Sequence, residues 1–161
     1  VKAMQKYPEF NSSIDGDNII YRSDINLGIA VALENGLTVP VAKAAGEKNT
    51  LGLSKAIQDI ADRARAKKLN PEEVHGGTFT ITNPGNFGAQ FGLPIINQPQ
   101  VAILGVGTIE KRPVVVDDAI GIRLMGFLTL GYDHRLVDGA VADQFMSDVK
   151  KGIENFDPAQ A

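Results

Sequence analysis

The densest cluster of reactive side chains lies in the segment "GYDHRLVDGA", residues 131–140. It contains His134, one of only two histidines in the 161 residues, together with Asp133, Arg135 and Asp138. Free histidine side chains titrate near pH 6.5, so a histidine on a loop can act as a general base at neutral pH. The alternative is a histidine that only hydrogen-bonds to nearby backbone, and position alone does not separate the two.

Each neighbour of His134 also has a purely structural interpretation. Asp138 directly precedes a predicted helix, where aspartate is a favoured N-cap. Gly139 could be required by a close turn. Arg135 could pair with Asp133 or Asp138, or remain in solvent. No single residue therefore identifies this segment as a catalytic site.

Composition excludes several classes of function. The chain has no cysteine, which excludes disulfides, cysteine nucleophiles and cysteine-ligated zinc, and two histidines are too few for a histidine-rich metal site. The net charge of −3 gives no basic footprint for nucleic acid. No apolar run approaches the roughly 20 residues that span a bilayer. We therefore expect no metal, no nucleic acid and no membrane partner.

Hydrophobic periodicity predicts the elements that precede the cluster. Residues 18–42 alternate apolar and polar side chains around "ENG" at 34–36, which predicts strands joined by a hairpin turn. Thr50 is the expected N-cap of a helix that follows it and ends at Asn70. Residues 76–85 read as a strand closed by a turn.

The elements next to the cluster are a strand and a helix. Residues 123–134 are predicted as one strand that runs into His134. The helix after it, within 139–156, is expected to bury one face, made of Ala142, Phe145, Met146, Val149 and Ile153. Strands dominate the whole pattern, with two or three helices. The predicted fold class is α/β, a two-layer sandwich in which helices pack on a mixed sheet.

The motif "DHRLVDG" at 133–139 resembles the signature of the acyltransferases that include chloramphenicol acetyltransferase and the dihydrolipoamide acyltransferases. The latter are the E2 catalytic domains of 2-oxo acid dehydrogenase complexes. Three further segments, "NGLTVPV", "GTFTITNPGNFG" and "PIINQPQVAILGVG", are similar to E2 segments and occur in E2 order. The resemblance covers nearly the whole chain, favours E2 over chloramphenicol acetyltransferase, and implies a chloramphenicol-acetyltransferase-like fold.

The resemblance implies roles for four residues. His134 matches the base that takes a proton from the thiol of dihydrolipoamide or coenzyme A, the two substrates. Thr82 matches the serine or threonine that hydrogen-bonds the tetrahedral oxyanion, although threonine is also a common strand residue. Asp138 matches the acidic residue that holds the active-site loop. Phe91 is a candidate for packing against the coenzyme A or lipoyl arm, and the alternative is a core aromatic.

The resemblance also implies an assembly. E2 cores are homotrimers that can build larger cages, and their sites combine the histidine and aspartate of one subunit with the serine or threonine of its neighbour. His134 and Thr82 of one chain should then lie far apart. The weakly apolar C-terminal "NFDPAQA" favours a trimer over a cage. Lipoyl domains of the parent E2 chain are expected partners, in the bacterial cytoplasm or the mitochondrial matrix.

The whole chain, 1–161, is expected to be one E2 catalytic domain without its N-terminal portion and without the lipoyl and E1/E3-binding domains. Two alternatives to an active E2 acyltransferase stay open. One is a truncated oligomeric core with a structural role and little or no activity. The other is a chloramphenicol-acetyltransferase-like enzyme that acetylates a small alcohol. The motifs do not separate acetyl, succinyl and branched-chain acyl groups.

Overall fold

The computed structural model describes residues 1–157. The last four residues of "NFDPAQA", and with them much of the expectation about the C-terminal tail, lie outside the described residues. The α-helices are α1 (Lys2–Lys6), α2 (Thr50–Arg65) and α3 (Gly139–Glu154). The strands are β1 (Ser12–Asp15), β2 (Asn18–Tyr21), β3 (Leu27–Ile29), β4 (Val31–Leu33), β5 (Gly36–Thr38), β6 (Val41–Ala42), β7 (Phe79–Thr82), β8 (Ala102–Val106), β9 (Glu110–Val116), β10 (Ala119–Met125) and β11 (Leu128–Tyr132). Short 3₁₀ helices cover Pro8–Asn11, Ala45–Glu47, Pro71–Val74 and Pro84–Phe87.

A five-stranded sheet organises the molecule, in the order β11-β8-β7-β3-β6. The three central strands β3, β7 and β8 run parallel, and the edge strands β6 and β11 run antiparallel to their neighbours. Three hairpins, β1–β2, β4–β5 and β9–β10, lie outside this sheet. The β4–β5 hairpin has Gly36 at φ 138°, as the "ENG" turn predicts. The predicted α/β class with a mixed sheet is confirmed.

The main core lies between one face of the sheet and the helices α1 and α3. Phe145 of α3 stacks on Phe10 with ring centroids 4.0 Å apart, and both are almost fully buried. Phe79 of β7 packs into the same cluster. Of the face predicted for the last helix, only Ile153 is wrong, because the core ends one turn earlier and leaves this side chain 60% exposed. The other four members are buried or packed against the core.

Two predicted features of α2 are wrong. Asn49, not Thr50, is the N-cap, and its side chain accepts a hydrogen bond from the backbone N–H three residues later at 2.8 Å. The helix also ends at Arg65 rather than Asn70, because Lys67 adopts the left-handed conformation with φ 56°. Asn70 instead begins the third 3₁₀ helix, where it forms a capping box.

The strand predicted over residues 123–134 is two strands. β10 pairs with β9, whereas β11 pairs with β8 in the main sheet, and Gly126 and Phe127 separate them. The change of partner, which local alternation does not encode, is the reason for the break. No helix within residues 1–157 is long and apolar enough to cross a membrane.

A glycine-rich loop, defined here as residues 84–95, lies against the carboxyl end of β8. A Cβ atom on Gly107 would overlap the backbone of Gln90, so the loop can approach only because this position has no side chain. The hydroxyl of Thr108 donates to the carbonyl of Ala89 at 3.1 Å, and the backbone N–H of Thr108 donates to the same oxygen at 2.9 Å. These contacts fix the loop beside the end of β7.

Candidate functional site

His134 lies on a tight turn that joins β11 to α3, named here the His134 turn (residues 133–138). The backbone N–H of Asp133 donates to the carbonyl of Val101 at 2.8 Å, which extends the β11–β8 pairing by one residue. The carbonyl of Asp133 accepts from the N–H groups of Leu136 at 3.1 Å and Val137 at 3.0 Å. Val137 is 1% exposed. The turn is therefore anchored to the sheet before His134 and to the core after it.

The charged neighbours of His134 pair with each other. The Asp133 carboxylate accepts from Nε of Arg135 at 3.0 Å and from Nη2 at 2.6 Å, so Asp133 is the partner of Arg135. The backbone N–H of Arg135 donates to the same carboxylate at 3.0 Å. Hydrogen bonding from the Arg135 side chain lowers the pKa of the Asp133 carboxyl below its ordinary value, and the pKa of Arg135 is raised by the same contact.

His134 is exposed. Its ring lies 5.5 Å from the Tyr132 ring, centroid to centroid, at an interplanar angle of 40°. It makes no hydrogen bond to any residue within 1–157, so the interpretation of a histidine satisfied by local backbone is wrong over the described chain. A base that must take a proton from an incoming group needs such a free nitrogen.

Asp138 occupies the N-cap position of α3 with extended backbone, but its exposed carboxylate makes no capping hydrogen bond. The predicted capping bond is therefore wrong, and only the Asp138 carbonyl starts the helix by accepting from Ala142 at 3.0 Å. Gly139 is not required by the turn either: its φ is not positive, and a Cβ there would meet only Tyr132 Oη at an ordinary 3.8 Å. Asp138 is exposed, and Gly139 is half-buried.

Thr82 is the last residue of β7 and is half-buried. It pairs with Gly105, which pairs in turn with Thr129, so the three residues share one row and one face of the sheet. The Thr82 hydroxyl makes no hydrogen bond with the described residues. It is free to donate to a group outside the chain.

Phe91 belongs to the same end of the sheet as Thr82. Its side chain is 62% exposed and contacts the Phe127 ring edge-on, with centroids 6.1 Å apart. The alternative of a core aromatic is therefore wrong. An exposed aromatic on a loop that the sheet holds in place can pack against an apolar ligand chain.

The structure does not bring His134 and Thr82 together. Thr82 is level with Thr129, whereas β11 continues from Thr129 to Asp133 in the opposite direction to β7. The Cα atoms of Thr82 and Asp133 are separated by four residues along the strand direction and by two strand spacings across the sheet. Ideal strand geometry converts this offset to a distance of roughly 16 Å. Thr82 therefore lies at the carboxyl end of β7, whereas the His134 turn begins beside Val101 at the opposite end of the sheet.

Two cavities open near the His134 turn. One, of about 300 Å³, is bounded by Asp133 and Arg135 and by the segment 98–101. The other, of about 460 Å³, adjoins the first through Pro99 and Gln100 and is lined largely by polar residues of the segments 12–13, 22–26 and 76–78. Gln100 is 7% exposed and accepts a hydrogen bond from the hydroxyl of Thr80 at 2.6 Å. The sequence pattern gave no signal for this buried glutamine. No group of three or more His, Asp or Glu side chains in residues 1–157 is placed to hold a metal.

Comparison with known proteins identifies the class of fold and then the family. Chloramphenicol acetyltransferase superimposes with a TM-score of 0.55 over 93% of this chain and 72% of that chain, and at 14% identity this likeness shows the fold alone. A protein-family model described as "2-oxoacid dehydrogenases acyltransferase (catalytic domain)" matches residues 1–160. The chain belongs to this family.

Similar relatives come from three kinds of complex. The lipoamide acyltransferase component of the branched-chain alpha-keto acid dehydrogenase complex of Bacillus subtilis is 46% identical over 97% of this chain and 37% of its own length. A succinyltransferase component from Haemophilus influenzae is 41% identical over 96% of this chain and 38% of its own length. An acetyltransferase component from Mycobacterium bovis is 47% identical over 96% of this chain and 29% of its own length. The chain thus spans less than two fifths of these relatives.

Solved structures of the family agree closely with the fold. A probable dihydrolipoamide acetyltransferase from Listeria monocytogenes has a TM-score of 0.94 and 41% identity, over 99% of this chain and 68% of that chain. Two further structures each have a TM-score of 0.89 and 36% identity, over 94% of this chain and 63% of the matched chain. They are the cubic core of a pyruvate dehydrogenase multienzyme complex and the Azotobacter vinelandii dihydrolipoamide acetyltransferase. The Azotobacter structure belongs to a crystallographic and enzymatic investigation of a serine, a histidine and an asparagine in the catalytic mechanism.

Proposed function

We propose that this chain transfers an acyl group between dihydrolipoamide and coenzyme A, as the core of a 2-oxo acid dehydrogenase complex. One observation carries the proposal. In the Azotobacter enzyme, the histidine follows the serine by 52 residues and precedes the asparagine by four. The same intervals separate Thr82, His134 and Asp138. The correspondence supports His134 as the base and Thr82 as the oxyanion donor, with aspartate here in place of asparagine.

The chemistry follows from these two side chains. A free thiol has a pKa of about 8.5, so a base is needed to form the thiolate at neutral pH. His134 accepts the thiol proton, and the thiolate attacks the thioester carbonyl of the other substrate. The Thr82 hydroxyl donates a hydrogen bond to the oxyanion that forms. Collapse of this intermediate breaks the original C–S bond, and the departing thiolate takes the proton back from His134.

The separation of His134 and Thr82 within one chain supports a site shared between two copies. In the proposed homotrimer, the His134 turn of one copy faces Thr82 and Phe91 of the next. Loss of one oxyanion donor costs about 3 kcal/mol of transition-state stabilisation, so contact between the copies would be required for turnover. The cubic assembly formed by one structural relative supports an oligomeric core.

The test is acyl transfer to free dihydrolipoamide from acetyl-, succinyl- and isobutyryl-coenzyme A. Acetyl and succinyl are the groups named in two kinds of relative, and isobutyryl is a branched acyl group chosen to represent the branched-chain kind. His134→Ala should reduce turnover on the order of 10²–10⁴-fold, as expected for loss of a general base. His75→Ala is the matched control, because His75 is the other histidine and is exposed in a different loop. A folded oligomer without turnover on any donor would refute the enzymatic proposal and favour the scaffold alternative.

A further inference from the structure

All of the hydrogen bonds that close the chain around His134 end on one residue, Asp133. Its carbonyl accepts from Leu136 and Val137, and its carboxylate accepts from the backbone N–H of Arg135. Its own N–H is bonded to the sheet at Val101. His134 is the first residue inside this turn, so its backbone direction depends on how firmly Asp133 closes the turn.

The Arg135 side chain strengthens this closure from the other side of His134. Its guanidinium bonds both oxygens of the Asp133 carboxylate, at 3.0 Å from Nε and 2.6 Å from Nη2. Charge-assisted bonds with this two-point geometry fix orientation as well as distance. The pair therefore straddles His134, with one member directly before it and one directly after it.

The imidazole itself has little else to hold it. Its contact with the Tyr132 ring is at 5.5 Å, and within residues 1–157 it has no hydrogen-bond partner. A catalytic base must be held close to its productive geometry, and a displacement of about 1 Å can cost on the order of 10²-fold in rate. The precision that the chain gives to His134 therefore comes from the turn.

We propose that the Asp133–Arg135 ion pair is a positioning element that fixes His134 for proton transfer. The proposal rests on the function proposed above. Neither side chain touches the reacting atoms in this scheme. Both act through His134, so loss of the Arg135 guanidinium affects the catalytic step rather than substrate binding.

The experiment compares Arg135→Gln with Arg65→Gln. Arg65 pairs with Asp62 at 3.0 Å on the exposed surface of α2, so it is a matched surface ion pair far from the turn in sequence. Arg135→Gln should lower kcat about tenfold or more and leave KM within about twofold, because ground-state binding is unchanged. Arg65→Gln should change neither constant. Arg135→Lys keeps the charge but not the two-point geometry, and should restore part of kcat.

A second measurement does not depend on turnover. The two histidines give separate imidazole signals in a spectrum of the isotopically labelled protein, and His75 serves as an internal reference. Arg135→Gln should shift or broaden only the His134 signals. A raised KM at unchanged kcat, or unchanged His134 signals in Arg135→Gln, would overturn the proposal. If the unmodified chain has no turnover, the proposed function fails, while the spectra still decide whether the ion pair positions His134.

Discussion

The distance between His134 and Thr82 leads to a quantitative prediction about mixed assemblies. The first variant, His134→Ala, removes the proposed base. The second, Thr82→Val, removes the hydroxyl and keeps a β-branched strand residue of similar size. Each variant alone should be nearly inactive, because every site then lacks one of its two groups. Loss of the base reduces the rate on the order of 10²–10⁴-fold, and loss of the hydroxyl reduces it about 10²-fold.

Mixing the two variants should restore activity. Thr82 and Asp133 are roughly 16 Å apart within a chain, and the proposed site takes His134 from one copy and Thr82 from its neighbour. An intact site needs His134 from a copy of the Thr82→Val variant and Thr82 from a neighbouring copy of the His134→Ala variant. With random mixing at equal amounts, each of these two conditions is met half the time. About a quarter of all sites should therefore be intact before selection. Purification on both tags leaves only mixed trimers, each with one intact site in three, so about a third of the sites in the assayed protein should be intact. Recovery to that level exceeds either parent at least tenfold.

The assay is acyl transfer to dihydrolipoamide after co-expression of the two variants with different affinity tags, followed by purification on both tags in sequence. The acyl donor is the one preferred by the unmodified chain. The control is a mixture of the purified variants without subunit exchange, which should show only the average of the parents. Activity of the co-assembled protein at that average would refute the shared site, provided that both variants assemble like the unmodified chain.

Three further predictions concern stability. Phe145→Ala opens a cavity beside the stacked core rings and should lower the free energy of unfolding, measured by urea denaturation, by about 3–5 kcal/mol. Ile153→Ala, on the exposed end of the same helix, should lower it by less than about 1 kcal/mol. Asn49→Ala removes the capping acceptor of α2 and should cost about 1 kcal/mol by the same assay; no loss would contradict the assigned cap. Hydrogen bonds from Arg63 lower the pKa of Glu73 to about 2 from an ordinary 4.5, so the stability that this carboxylate contributes is present above pH 4.5 and is lost as the pH falls toward 2. Glu73→Gln should flatten the pH dependence of unfolding in that window, and an unchanged slope would contradict the pairing.

Local sequence pattern predicted the elements whose determinants are local. The hairpin at Gly36 needs only a turn residue that accepts positive φ between two alternating segments. The apolar face of α3 is a helical repeat around Phe145, and it failed only at Ile153, where the core has already ended. The motif around His134 was identifiable because its spacing is distinctive, and the structure places it on a turn before a helix as predicted.

The remaining features depend on which segments meet in space. Residues 123–134 alternate like one strand, but β10 and β11 pair with different partners, which only the tertiary structure determines. The partner of Arg135 was open between two carboxylates until the geometry of the turn favoured Asp133. The distance between His134 and Thr82 is a property of strand order and direction, so spacing along the chain could not provide it.

The position of the loop that carries Phe91 depends on the absence of a side chain at Gly107. The loop lies against β8 because Gly107 has no Cβ to meet the backbone of Gln90. Adding one methyl group there would displace the segment, whereas the ring of Phe91 is 62% exposed and contacts the loop's surroundings edge-on at Phe127. Substitutions of exposed side chains on this loop should therefore disturb its path less than any side chain added at position 107.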